Sequence, residues 1–310
     1  MIQRFLDYLQ YERRYSLRTV SEYGDDLRAF AALLGGEEKF DPSRADTTDV
    51  KTWMVDMLDN NLSPRTVKRR LSALRSFYKY LLRQGLVKRD ITQGVIAPKT
   101  DQPLPVFFRE SEMEREQAIG ERELDELMHQ PDGEASPREV YELTRDNLII
   151  SLLYQTGMRR AELVGLTDGD IDLAAGQIRV FGKRRKERIV PIGARLIDEI
   201  KAYMEVRQGF ESPDHRLLTA IHRDGSTGAM DAHAVYRMVR RRMGEVSTLK
   251  KHSPHVLRHT FATTMLNNGA DIRTIQTLLG HASLSATQVY THTTFEQIQQ
   301  AYKAAHPRSK

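Results

Sequence analysis

Cysteine is missing from all 310 residues, which removes disulfides, thiolate zinc sites and cysteine nucleophiles together. Long apolar runs are missing too. None approaches the roughly 18 residues a membrane-spanning helix needs, and the opening Met1-Ile2-Gln3-Arg4-Phe5-Leu6-Asp7 has no apolar signal-peptide core. The chain shows no internal repeat, no low-complexity tract and no acidic cluster at metal-ligand spacing. These absences point to a cytoplasmic protein that offers no metal-binding motif. A more local absence is the most useful: between Asn60 and Arg89 there is not one Asp or Glu.

What is present is a globular composition, 40% hydrophobic and 29% charged, in a chain long enough for two domains with separate cores. The net charge of +5 is unevenly spread. Residues 1–100 carry 18 basic against 13 acidic side chains, residues 101–150 carry 5 against 14, and residues 151–310 carry 24 against 15. Two basic bodies thus flank an acidic segment, and a basic surface suits a polyanion such as DNA.

The first 97 residues read as helices near 1–14, 16–34, 47–60 and 64–84. Ser16 and Ser63 stand at N-cap positions, Pro64 at a first helical position, and Gly35-Gly36 and Gly85 where helices should stop. In the last helix Val67, Leu71, Leu74, Tyr78 and Leu81 form one stripe at ~100° per residue, while Arg65, Lys68, Arg69, Arg75, Lys79 and Arg83 fall opposite. An apolar back with a basic front suits a helix lying in or beside a DNA groove. Prolines from Pro98 to Pro105 mark a linker, taken as 98–115, before a second domain over 116–310. In that domain Glu121–Met128 reads as a helix, 138–156 as an apolar-rich helix ending at Gly157, and Gln177–Phe181 and Arg188–Ile192 as an antiparallel strand pair. Lys183, Arg184, Arg185 and Lys186 form a basic hairpin tip, a further candidate DNA contact. Segments 195–209, 231–243, 255–268, 271–279 and 284–304 read as mainly helical.

Candidate reacting groups are strung through this second part: Arg159, Lys183, His255, Arg258, His281 and Tyr290. Transfer of a phosphodiester to a tyrosine needs fixed positive donors on the non-bridging oxygens, and the planar, permanently charged guanidinium suits them. A phenol of pKa ~10 needs help losing its proton, and the departing sugar oxygen needs a proton in return. Singly, each residue has an ordinary structural explanation; His255 and Arg258, for example, share a helix face merely by being three apart.

As an ordered set they resemble the tyrosine recombinase (phage-integrase-type) family, and within it the Xer recombinases. The matching stretches are Thr156-Gly157-Met158-Arg159 with Glu162-Leu163, Gly182-Lys183 with Lys186-Glu187-Arg188 and Val190-Pro191, and Ser253-Pro254-His255-Val256-Leu257-Arg258-His259-Thr260. Leu278-Leu279-Gly280-His281 and Thr287-Gln288-Val289-Tyr290-Thr291-His292 complete them, and Ser16–Val20 and Arg75–Leu81 extend the likeness to the N-terminal helices. The resemblance implies a mainly α fold with a small antiparallel sheet: a helical, SAM-like core-binding domain and an α+β catalytic domain that close as a C-shaped clamp on DNA. It further implies that Arg159 and Arg258 clamp the scissile phosphate, that His255 binds it and helps accept the proton of Tyr290, that Lys183 protonates the leaving 5′ oxygen, and that His281 completes the cage. Tyr290 would attack, giving a 3′-phosphotyrosine and a free 5′-hydroxyl with no cofactor. Glu162 would support the site rather than react. Arg160 and Arg184 depart from the pattern, standing where relatives carry a small or neutral residue and a glycine.

Phe295, Ile298, Tyr302 and Ala305 would share one face of a tail helix over about 294–305. The resemblance implies docking of that face on a neighbouring protomer. It also implies a duplex recombination site as partner, a homo-oligomer or a hetero-tetramer with a related recombinase, and a DNA-translocase accessory factor. Chromosome dimer resolution at a palindrome-like site, in the nucleoid, suits a chain that starts directly with the core-binding helices. The alternatives are a mobile-element integrase, a DNA invertase, a type IB topoisomerase-like enzyme and a non-catalytic DNA-binding protein.

Overall fold

The computed structural model describes residues 1–100, 105–129, 135–182, 187–212, 214–280 and 292–309, with side chains in the last stretch from Phe295. The chain divides into two compact units, Met1–Pro103 and Leu104–Lys310.

The first unit is helical: α1 (Ile2–Asp7), α2 (Leu17–Leu33), α3 (Thr47–Asp59) and α4 (Pro64–Arg83). Each of the last three starts at a side-chain cap. Ser16 Oγ accepts from the Thr19 N–H at 3.2 Å and Ser63 Oγ from the Thr66 N–H at 3.2 Å. Asp46 accepts from the Thr48 and Asp49 N–H groups, while the Asp49 carboxylate returns to the Asp46 N–H at 2.8 Å, a reciprocal capping box. Val67, Leu71, Leu74, Tyr78 and Leu81 of α4 are buried as the spacing predicts, in one core with Phe5, Leu27, Phe30 and Trp53. The first helix is shorter than expected. After Asp7 the chain widens into a π-type turn over Tyr8–Glu12, and Arg14, at φ +52°, breaks the helical path.

The second unit is built around α6 (Pro137–Thr156), buried almost continuously from Leu148 to Thr156. Before it runs α5 (Glu110–Met128), eleven residues longer at its start than the sequence suggests. Two contacts fix that start: the Glu112 carboxylate accepts the Arg109 N–H at 2.7 Å, and buried Phe108 donates its N–H to the distant Thr260 Oγ1 at 2.9 Å. After the short α7 (Arg160–Leu163), strands β1 (Ile171–Asp172), β2 (Gln177–Phe181) and β3 (Glu187–Pro191) form an antiparallel sheet in that order. Its inner side chains Ile178, Val180 and Val190 enter the core. Helices α8 (Ala194–Val206), α9 (Ala232–Val246), α10 (Pro254–Asn267), α11 (Ile272–Leu279) and α12 (His292–Ala305) complete the unit. A second antiparallel pair, β4 (Thr219–Ile221) with β5 (Thr227–Ala229), is not foreseen from the sequence, because three residues are too few to show alternation.

The tail docks in cis, where the resemblance implies a neighbouring protomer. Ile298, Tyr302 and Ala305 enter the core of their own unit, and Asn268 Nδ2 donates to the Ala305 carbonyl at 2.8 Å. Beyond the helix, buried His306 stacks on Tyr302 (5.3 Å, 15°), and Arg308 lies over the Tyr154 ring and donates to the Met113 carbonyl at 2.8 Å. These contacts reach α5, α6 and α10, so the chain's own surface seats Ile298, Tyr302 and Ala305, while Phe295 stays only half-buried.

Burial pushes the His306 imidazole down to about 3, with the Arg308 charge acting the same way. Its neutral form is therefore built into the docked tail. Stability from this group is complete above the free value of ~6.5 and drains away as pH falls towards about 3, where the unfolded chain takes up a proton that the docked tail refuses. Hydrogen exchange, corrected for intrinsic rates, should show protection in 292–309 weakening below pH ~6.5 in the native protein. In His306→Phe that dependence should be lost; the same dependence in both would contradict the assignment.

Candidate active site

The turn after α6 fixes the first candidate. Gly157 ends the helix at φ +61°, and a Cβ there would lie 2.5 Å from Phe261 Cδ1. Only glycine allows both the left-handed turn and this close approach. Met158 is buried, and Arg159 then emerges with 45% of its side chain exposed. Three residues on, Glu162 turns back. Its Oε2 accepts the Arg159 N–H at 2.8 Å and its Oε1 accepts Arg159 Nη1 at 2.7 Å. The same Oε2 accepts Arg188 Nη2 at 2.8 Å.

His255 and Arg258 lie one turn apart on α10. Arg258, only 6% exposed, donates Nη1 to the Gly157 carbonyl and Nη2 to the Leu279 carbonyl, each at 2.6 Å. It thereby ties the end of α6 to the end of α11. Among the described residues, two of its five N–H groups are used in this way. Burial and the neighbouring Arg159 and Arg188 charges push its guanidinium down to about 10. His255 is exposed and meets His259 edge-on at 4.6 Å between ring centroids. Its imidazole is held below the usual value by partial burial, then by His259, Arg258 and Arg159. The cluster is a surplus of positive charge around an imidazole whose neutral form that charge favours. It can hold an anion with several oxygens and accept a proton beside it.

Arg159, His255 and Arg258 are thus brought together, with Glu162 behind them. Lys183, Arg184, Arg185, Lys186, His281 and Tyr290 lie outside the described residues. Sequence reasoning missed Arg188 as more than part of a motif. The signal was available: Arg188 has the same strand parity as buried Val190 and pairs with buried Val180, so it points inward. It is 5% exposed, and its Nε donates to the Leu278 carbonyl at 2.7 Å.

The basic residues of α4, in the first unit, divide into two groups. Arg65, Lys68 and Lys79 are exposed and make no ion pair or hydrogen bond with the described residues. Arg69 is bound to Asp26, a carboxylate only 2% exposed, and Arg75 donates to the Val95 carbonyl at 2.5 Å. Arg83 donates to the Tyr8 hydroxyl at 2.6 Å. The uniform basic face read from the sequence is therefore partly internal cross-linking. Among the described residues no group of three or more His, Cys, Asp or Glu is placed to hold a metal ion.

The pattern of the phage integrase family matches residues 117–297, and that of the phage integrase N-terminal SAM-like domain matches residues 2–85. Tyrosine recombinase XerC of Pelobacter propionicus is 38% identical over 100% of this chain and 96% of its own length. XerC of Bacillus subtilis is 35% identical over 99% and 96%, and that of Chlorobaculum parvum 34% identical over 99% and 94%. Among solved structures, the XerH site-specific recombinase bound to its difH substrate in a pre-cleavage complex aligns with TM-score 0.66 at 22% identity, covering 98% of this chain and 84% of that one. A lambda integrase dimer bound to a COC′ core site aligns with TM-score 0.64 at 15% identity, covering 99% and 77%. These two likenesses speak for the fold.

Two outcomes follow from the geometry. Glu162→Gln leaves buried Arg188 without its counter-charge and should cost about 3–5 kcal/mol, the typical loss when one member of a buried pair is removed, read from denaturant midpoints; an unchanged midpoint would contradict the pairing. His259→Asn removes a charge that depresses His255, so the acidic limb of the activity–pH profile should move to higher pH. A shift to lower pH would show that His259 acts otherwise.

Proposed function

We propose that this chain, which belongs to the phage integrase family and is a Xer-type site-specific recombinase, breaks and rejoins duplex DNA through a 3′-phosphotyrosine formed on Tyr290. The observation that carries this reading is the convergence of Arg159, Arg258 and His255, its imidazole held below the usual value, in one positively charged cluster. The two guanidiniums hold the non-bridging oxygens of the scissile phosphate and stabilise the charge that builds on them during attack. The Tyr290 hydroxyl oxygen forms a bond to phosphorus as the bond from phosphorus to the 5′ oxygen breaks. The phenolic proton passes to His255, and Lys183 delivers a proton to the leaving oxygen. His281 adds a further hydrogen bond to the phosphate. One phosphodiester is exchanged for another, so the reverse attack by a partner strand's 5′-hydroxyl rejoins DNA without an external energy source.

Residues 1–97 act as a core-binding domain, with Arg65, Lys68 and Lys79 of α4 facing the DNA backbone and Arg69 and Arg75 helping through the N–H groups their internal bonds leave over. Residues 116–310 act as the catalytic domain, with Arg184, Arg185 and Lys186 beside Lys183 adding DNA contacts. The biological substrate is a short, palindrome-like duplex site joined twice in a chromosome dimer. Four protomers, identical or of two related kinds, act together there in the cytoplasm at the nucleoid, with a DNA translocase as accessory factor. The full-length likeness to XerC proteins supports this assignment.

Nicked suicide duplexes carrying candidate sites test the chemistry. The wild-type protein in EDTA should give a protease-sensitive covalent adduct on a denaturing gel, and Tyr290→Phe should give none. Undiminished cleavage by Tyr290→Phe would overturn the proposal.

A further inference from the structure

Arg188, buried beneath the phosphate-binding cluster, joins the parts of the site to one another. Its Nη2 holds Glu162, whose two oxygens also hold the main chain and the guanidinium of Arg159. Its Nε holds the Leu278 carbonyl, while the next carbonyl along, that of Leu279, is held by Arg258. Gly280 follows in the left-handed conformation at φ +65°, and a Cβ there would come within 3.2 Å of Arg188 Cδ and Nη1. The close approach of Arg188 is therefore built into the chain where it leaves α11 towards His281 and Tyr290. Arg188 itself stands on β3, five residues after Lys183. Both partners of the Arg188–Glu162 pair are only 5% exposed at the side chain, so the guanidinium is shielded from solvent.

We propose that Arg188 is a positioning residue for DNA cleavage: one guanidinium locks Glu162, and through it Arg159, to the C-terminal end of α11, holding the phosphate clamp in register with the segment that leads to the nucleophile. The geometry needs arginine. Its planar fork presents donors in two fixed directions, one to a carboxylate and one to a carbonyl, whereas an ammonium on a flexible stem satisfies one partner and leaves the other. This role rests on the recombinase reading above, and deepens it.

The test measures single-turnover adduct formation on a suicide duplex at saturating full-length protein, with equilibrium DNA binding measured separately. The proteins are wild type, Tyr290→Phe, Arg188→Lys, Arg188→Met, Glu162→Gln and the double variant Arg188→Lys/Glu162→Gln. DNA affinity should stay within about threefold of wild type, because Arg188 faces no ligand. Cleavage should fall about tenfold in Arg188→Lys and about 100-fold in Arg188→Met, the scale on which an ångström of misplacement acts. The double variant should be no slower than the slower of its two parents, since both changes break one link. Losses that multiply, losses confined to affinity, or wild-type cleavage by Arg188→Lys would each overturn the role. If Arg188→Met does not fold, the Arg188→Lys cycle decides alone. A wild-type protein that forms no Tyr290-dependent adduct would instead sink the recombinase reading, and this role with it.

Discussion

A single buried carboxylate organises the catalytic unit. Glu162 is 7% exposed, and burial alone would push its carboxyl up. The hydrogen bond and charge of Arg188, then the main-chain N–H and guanidinium of Arg159, more than offset this and hold it below the usual carboxylate range. Ionised Glu162 supplies the counter-charge that lets two arginines crowd one place. Without it Arg188 would be a buried, uncompensated cation beside Arg258, whose own pKa is already depressed by burial and then by its neighbours. The acid balances the inner arginine, and the cluster keeps a net positive charge at Arg159 and Arg258.

Backbone carbonyls share the task of fixing those guanidiniums. Gly157, Leu278 and Leu279 each offer a helix-end carbonyl to Arg258 or Arg188. Cations complement the partial negative charge at helix C-termini, so the ends of α6 and α11 act as electrostatic sockets. The two positive-φ glycines at those ends, Gly157 and Gly280, let the chain turn away without blocking them.

Legibility in the sequence follows the range of the physics involved. Caps and 3.6-residue periodicity are local, so the α4 core stripe and the Ser16 and Ser63 helix starts are readable from near neighbours along the chain. The three-residue strands β4 and β5 carry too little pattern to read. The basic front of α4 is visible as composition, but Asp26, forty-three residues from Arg69, the Val95 carbonyl and the Tyr8 hydroxyl hold Arg69, Arg75 and Arg83, and no local rule reports that. Ordered motifs pick out Arg159, His255 and Arg258, whereas the lowered proton affinity of His255 and Arg258 depends on their burial and on neighbours that the fold brings up. Arg188 escapes because its importance lies in two long-range partners, Glu162 and Leu278. Docking of the tail in cis likewise depends on a seat made by distant segments, which an amphipathic pattern cannot identify.

The proposed chemistry requires that the cluster of Arg159, His255 and Arg258 present a phosphodiester to Tyr290. Trapping the wild-type protein on a suicide duplex, digesting it with protease and sequencing the DNA-linked peptide by mass spectrometry measures this directly. A peptide spanning 287–292 that carries the nucleotide through its 3′ phosphate on Tyr290 is the predicted result. Attachment at another side chain, or through a 5′ phosphate, would contradict it.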